Sequence, residues 1–259
     1  MAGADDPGSV PFDPYKVPVR LAATLMLVRD GVSGLEVAML RRSLTASFVG
    51  GAHVFPGGAV DPQDASATMA ARCRGLDVAS ANEVLRVPQD GFAYWVAAVR
   101  ESFEEAGLLV AEHDDGTPVD LRGGDVASRF VTHRADVHAG RRKFADVLAE
   151  EDLYLPMDRV HSWSHWVTPI GPPRRFDTRF FVAAAPAGQE PLHDERETIA
   201  SVWLSPLTAL SEFAEGRITI ITPTIKSLEA IGRFPTVETL LSAAAPRGAI
   251  AAVIAPPAG

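Results

Sequence analysis

Only one cysteine, Cys73, occurs in the 259 residues. An internal disulfide is excluded, and so is a cysteine-rich metal site. No apolar run is long enough to span a bilayer. No internal repeat and no domain linker interrupts the chain. Basic residues are outnumbered, 24 against 33 acidic, for a net charge of −9. That balance argues against a nucleic-acid surface or an anionic-membrane surface. It leaves room for a small anionic substrate, because bound metals and local arginines can invert the charge of a pocket. The opening stretch, MAGADDPGSVPFDPYK, is acidic and proline-rich, unlike a secretory signal. A cytoplasmic protein is the expectation.

Hydrophobic residues make up 47% of the chain, enough for a sizeable core. The expected organisation is a flexible tail over 1–16, one domain over 17–245 with a helical insertion at 65–90, and a tail over 246–259. Apolar runs at 17–28 and 35–41 read as strands, with Asp30-Gly31 suited to the hairpin between them. A short strand is expected at 52–55, before the Pro56-Gly57-Gly58 turn. The stretches 160–169, 175–185 and 198–204 read as further strands. Helices are expected at 91–106, within 125–153, and at 208–215, 222–231 and 237–245. Strands interleaved with helices suggest a mixed α/β domain.

The helix at 91–106 carries Phe92, Trp95, Val96, Val99 and Phe103 at helical spacing, a core-facing stripe. Glu101, Glu104 and Glu105 stand at i, i+3 and i+4, so they share a second face. Three carboxylates on one turn repel each other. A divalent cation with a preference for oxygen relieves that repulsion, and an exposed acidic face partnered by Arg100 is the alternative. Gly107 suits the helix end. His133 and His138 are five residues apart, not a helical metal pair, and both read as ordinary polar residues.

Two segments complete a pattern. Gly58 to Asp64, followed after a long spacer by RESFEEAGL from Arg100 to Leu108, resembles the Nudix box, G-x5-E-x7-R-E-U-x-E-E-x-G-U. Asp64 stands where the pattern has Glu, Ser102 where it has an aliphatic residue, and the spacer over 65–99 is far longer than x7. That interruption, with FVGGAHVFPGG, AVRESFEEAG and WSHWVTP…RRFDTRFF around it, resembles the Nudix subfamily that includes the peroxisomal coenzyme A diphosphatases.

The resemblance implies a Nudix-type α/β/α sandwich with a mixed central sheet. It also implies metal-dependent hydrolysis of the pyrophosphate bond in a nucleoside diphosphate linked to another moiety, with coenzyme A or an acyl derivative as the leading substrate. ADP-ribose, NADH or a modified nucleoside triphosphate is the enzymatic alternative, and a non-catalytic Nudix-like regulatory module is a third reading. Mg²⁺ or Mn²⁺ is the implied cofactor, held by Glu101, Glu104, Glu105, the Gly58 backbone and a late carboxylate. Glu197 lies six residues before Trp203, with Asp194 and Glu195 as rivals. One of these glutamates would help deprotonate water, and Arg100 would position the carboxylates. Asp61 and Asp64 are outer candidates. Arg175, Arg179, Arg41 and Gly57 are the substrate-binding candidates. The partner would be a small-molecule nucleoside diphosphate derivative, with no nucleic acid, no membrane, and a homodimer as a candidate assembly.

Overall fold

The structure, a computed structural model, describes residues 13–44, 50–193, 198–245 and 250–254. Its backbone is β1 (Val19–Gly31), β2 (Gly34–Arg42), β3 (His53–Val54), β4 (Gly57–Ala59), α1 (Ala67–Ala70), β5 (Cys73–Arg74), α2 (Val78–Leu85) and α3 (Gly91–Ala106). There follow α4 (Gly124–His138), α5 (Phe144–Glu150), β6 (Leu155–Pro156), β7 (His161–Val167), β8 (Arg175–Ala184) and β9 (Thr198–Leu204). The chain then forms α6 (Pro206–Ala214), α7 (Thr222–Ile231), α8 (Val237–Ala244) and β10 (Ala252–Ile254).

The expected mixed α/β sandwich is observed. β1 is its spine. One edge of β1 runs parallel to β8 from Val19 to Val28. The other edge is shared: β2 pairs antiparallel with Val28–Gly31 and β4 with Ala22–Thr24. This division brings the Gly57–Ala59 segment beside the lower half of β1. Strand alternation then sorts the side chains. Ala23, Leu25, Leu27, Ala38 and Leu40 pack with α3, whereas Met26, Val28, Val37 and Met39 pack with residues of α6, α7 and α8. No helix among the described residues is long and apolar enough to cross a membrane.

Three expectations need correction. Asp30 and Gly31 belong to β1, and the turn falls on Val32 and Ser33. The pairing of Gly31 with Gly34 keeps the ladder going for one more rung. The stretch expected as a C-terminal tail contains β10, which adds a parallel strand to β7 through Ala252–Ile254. The insertion is less helical than its alanine content suggests: a 3₁₀ turn at Pro62–Ala65 leads to the single turn of α1, then β5, then α2. Asp77 caps α2 by accepting from the Ser80 amide, and Arg86 in the left-handed region ends it.

The insertion is tied back to the domain at several points. β5 pairs with β6. Asn82 accepts the Gly91 amide at 2.7 Å, joining α2 to the start of α3. Arg179 on β8 is buried and donates to the Leu85 carbonyl at 2.9 Å. Its guanidinium also lies 3.5 Å from Asp177 and over the Tyr94 ring. Arg179 therefore clamps the end of α2 onto the sheet. Replacing Arg179 by Ala strands the Leu85 carbonyl and is expected to lower the unfolding free energy by about 1–3 kcal/mol. Urea denaturation checks this, and an unchanged midpoint would remove the clamp from the account.

Candidate active site

β4 approaches α3 closely because its glycines permit it. A Cβ at Gly57 would lie 2.6 Å from the Ala23 carbonyl, and one at Gly58 would lie 2.5 Å from the Glu101 carboxyl. The Gly57 amide donates to Glu105 at 2.9 Å. Just beyond β4, Asp61 caps the 3₁₀ turn by accepting from the Gln63 amide, and its own amide donates to Asp64 at 2.8 Å. This reciprocal cap turns Asp64 inward, where it is 1% exposed.

Arg100 faces that carboxylate from α3. Its Nε and Nη2 donate to the two Asp64 oxygens at 2.8 and 3.0 Å. Its Nη1 donates to Glu101 at 2.8 Å and to Glu104 at 2.9 Å. Nη2 also donates to the Ala59 carbonyl at 2.8 Å. One guanidinium thus binds three carboxylates and the β4 backbone. Burial works against the charge of Arg100, but the hydrogen bond and charge of Asp64 and the charge of Glu101 outweigh it and raise its pKa. Burial pushes the Asp64 carboxyl up, against the pull of Arg100. Burial pushes the Glu101 carboxyl up to about 7, with Arg100 opposing and Glu104 adding to the rise.

The C-terminal end of α3 is finished by groups that hold its carbonyls. Arg134 of α4 donates to the Glu104 and Glu105 carbonyls at 2.9 and 2.8 Å, a favourable place for a cation. Gly107 adopts φ +67° there. Ser102 is fully buried, and its hydroxyl donates to the Leu108 carbonyl at 3.1 Å, so a polar residue is satisfied at a position where an aliphatic one was the pattern.

A cleft of about 280 Å³ opens beside this cluster. Asp61, Asp64, Arg100, Glu104, His138 and Lys143 are among the residues that line it. His138 Nδ1 lies 3.6 Å from Glu104 Oε2. Sequence reasoning missed His138, and no spacing could have revealed it, because the contact exists only through the packing of α4 against α3.

The structure brings together Gly57, Gly58, Asp61, Asp64, Arg100, Glu101, Glu104, Glu105 and Gly107. It leaves the basic candidates elsewhere. Arg179 is buried under α2, as described above. Arg175 donates to the Thr168 and Pro169 carbonyls and braces the β7–β8 connection. Arg41 is exposed and pairs in register with His53 and Ala200. Strand alternation puts Arg41 with Val37 and Met39, on the face away from α3. Glu197, Asp194 and Glu195 lie outside the described residues.

The donor set fits a hard divalent cation. Asp64, Glu101 and Glu104 carry more negative charge than Arg100 offsets, and carboxylate oxygens are what Mg²⁺ and Mn²⁺ prefer. Among the described residues, the tightest convergence of ligand-type atoms is instead His133, Glu150 and Glu151. That trio is already neutralised: Arg129 donates to both Glu151 oxygens, and Arg142 bonds Glu150 and His133. It is a salt-bridge network joining α4 and α5.

Because the Gly58 Cβ would meet only the end of a flexible side chain, Gly58→Ala is expected to keep the fold while displacing the Glu101 carboxyl. A melting temperature within a few degrees of wild type, together with loss of most of whatever diphosphate-hydrolysing turnover wild type shows, is the expected pair of results. Full activity in the variant would show that the close approach is dispensable.

Known proteins resemble this chain in sequence and in fold. Residues 76–231, more than half of the chain, match the family described as the NUDT19 Nudix domain. A human protein described as acyl-coenzyme A diphosphatase NUDT19 is 27% identical over 237 residues, covering 80% of this chain and 63% of the relative. Its chicken counterpart is 29% identical over 246 residues, with 81% and 64% covered. The chain therefore spans slightly under two thirds of the length of these curated relatives. The crystal structure of a NUDIX hydrolase from Alicyclobacillus acidocaldarius superposes with a TM-score of 0.76 at 31% identity, covering 91% of this chain and 99% of that one. The long spacer, the second half of the box with Ser102 at its aliphatic position, and the family match over more than half of the chain have one explanation: the chain belongs to the NUDT19 Nudix domain family of the Nudix hydrolase superfamily.

Proposed function

We propose that the chain is a metal-dependent diphosphatase that hydrolyses coenzyme A or an acyl-coenzyme A at its pyrophosphate bond. The products would be adenosine 3′,5′-bisphosphate and a phosphopantetheine, acylated or free. The observation that carries this reading is the Arg100 cluster, in which both halves of the interrupted box are present and oriented on one another. The names of the relatives supply the substrate class.

Glu101, Glu104 and Glu105, with the backbone at Gly58, would hold Mg²⁺ or Mn²⁺. Glu197 remains the late-carboxylate candidate from the sequence. The bound cation supplies neutralisation of phosphate oxygens and acidification of water. The chain supplies the rest. Arg100 fixes the separation of Glu101 and Glu104, so little reorganisation is needed as charge develops. Water attacks one phosphorus, the bond to the bridging oxygen breaks, and the leaving phosphate departs as an anion. A carboxylate takes the proton from the attacking water. Glu104 suits that role because it lines the cleft and its Oε2 is turned towards His138.

A hydrolysis panel containing coenzyme A, an acyl-coenzyme A, ADP-ribose and NADH, with Mg²⁺ or Mn²⁺, tests the substrate. Adenosine 3′,5′-bisphosphate should accumulate from the coenzyme A substrates. Rapid turnover of ADP-ribose with none of coenzyme A would replace this assignment with the alternative. In the same panel Glu104→Gln should lower kcat by about a hundredfold or more. Undiminished turnover by that variant would remove α3 from the mechanism.

A further inference from the structure

A substrate with phosphates beyond the reacting bond needs cations to receive them, and the basic residues singled out from the sequence do not serve. Arg179 is spent on the Leu85 carbonyl and Asp177, and Arg175 on two backbone carbonyls. Within the cleft beside Glu104, Arg100 is consumed by Asp64, Glu101, Glu104 and Ala59. Arg142 is consumed by His133 and Glu150. His138 faces Glu104.

Lys143 differs from all of these. It lines the same cleft, it is exposed, and among the described residues its ammonium has neither a hydrogen bond nor an ion pair. Its backbone is nevertheless fixed. The Lys143 carbonyl accepts the Asp146 and Val147 amides, and the next two residues, Phe144 and Ala145, are buried. The side chain therefore leaves a firm base at the α4–α5 junction and reaches a cleft that begins at the catalytic carboxylates. An unpaired ammonium on a flexible stem is suited to a phosphate as a point charge.

We propose that Lys143 binds a phosphate group of the substrate. The inference rests on the diphosphatase reading and deepens it: the cleft between the Pro62–Ala65 turn and the α4–α5 junction becomes the substrate channel. The shared chemistry is a phosphate anion, and its two sources are the 3′-phosphate of coenzyme A and the diphosphate itself.

Steady-state kinetics on coenzyme A and on dephospho-coenzyme A, for wild type, Lys143→Gln and Lys143→Arg, test this. Lys143→Gln should raise KM for coenzyme A roughly tenfold with kcat within about twofold, and Lys143→Arg should restore most of it. A KM effect confined to coenzyme A assigns Lys143 to the 3′-phosphate. An equal effect on both substrates assigns it to the diphosphate. Unchanged KM for both in the Gln variant overturns the proposal. If wild type turns over neither compound, the coenzyme A reading fails separately. Calorimetric titration with inorganic pyrophosphate then decides the Lys143 question: weaker binding by Lys143→Gln sustains it, and equal binding ends it.

Discussion

Arg100 holds together two pieces of chain that the sequence keeps far apart. Its guanidinium takes both oxygens of Asp64, one from Glu101, one from Glu104 and the Ala59 carbonyl. Without it, three carboxylates would crowd a largely buried space with their hydrogen-bonded counter-charge removed, which is strongly destabilising. With it, they remain more negative than their surroundings neutralise. The same interaction therefore serves folding and leaves room for a cation.

The long insertion is compatible with this because it leaves and returns at fixed points. The Asp61–Asp64 cap anchors its beginning, Asn82 and Arg179 anchor its end, and β5 is pinned by β6. Loop-closure entropy grows only slowly with length, so a structured insertion costs little once its ends are held. The β4 glycines matter at the same junction. They let β4 pair with β1 while the Glu101 carboxyl lies against it.

How much was legible in the sequence follows from which contacts are local. The three glutamates were readable because helix periodicity alone puts Glu101, Glu104 and Glu105 on one side of α3. The α/β class and most elements were readable from apolar patterning. Asp64 was readable only as a position in a motif; that it grips Arg100 depends on a 3₁₀ turn. For Arg179, which face of β8 α2 would cover is a tertiary fact, and it buries the side chain. His138 and Lys143 gave no signal, since each meets the cleft only after α4 and α5 have packed against α3. Glu197 lies outside the described residues and keeps the standing that the sequence lent it.

Two clusters in this fold offer oxygen and nitrogen ligands, and they differ in charge balance. His133, Glu150 and Glu151 are closer together but are already matched by Arg129 and Arg142. The α3 carboxylates are more spread out and are under-neutralised. If the α3 carboxylates hold the cation, under-neutralisation and not proximity marks its place. Equilibrium binding of Mn²⁺, followed by electron paramagnetic resonance of the free ion, tests it directly in wild type, Glu104→Gln and Glu150→Gln. The account predicts that Glu104→Gln abolishes the tight site and Glu150→Gln leaves it intact. Loss of Mn²⁺ binding in Glu150→Gln, with retention in Glu104→Gln, would contradict it.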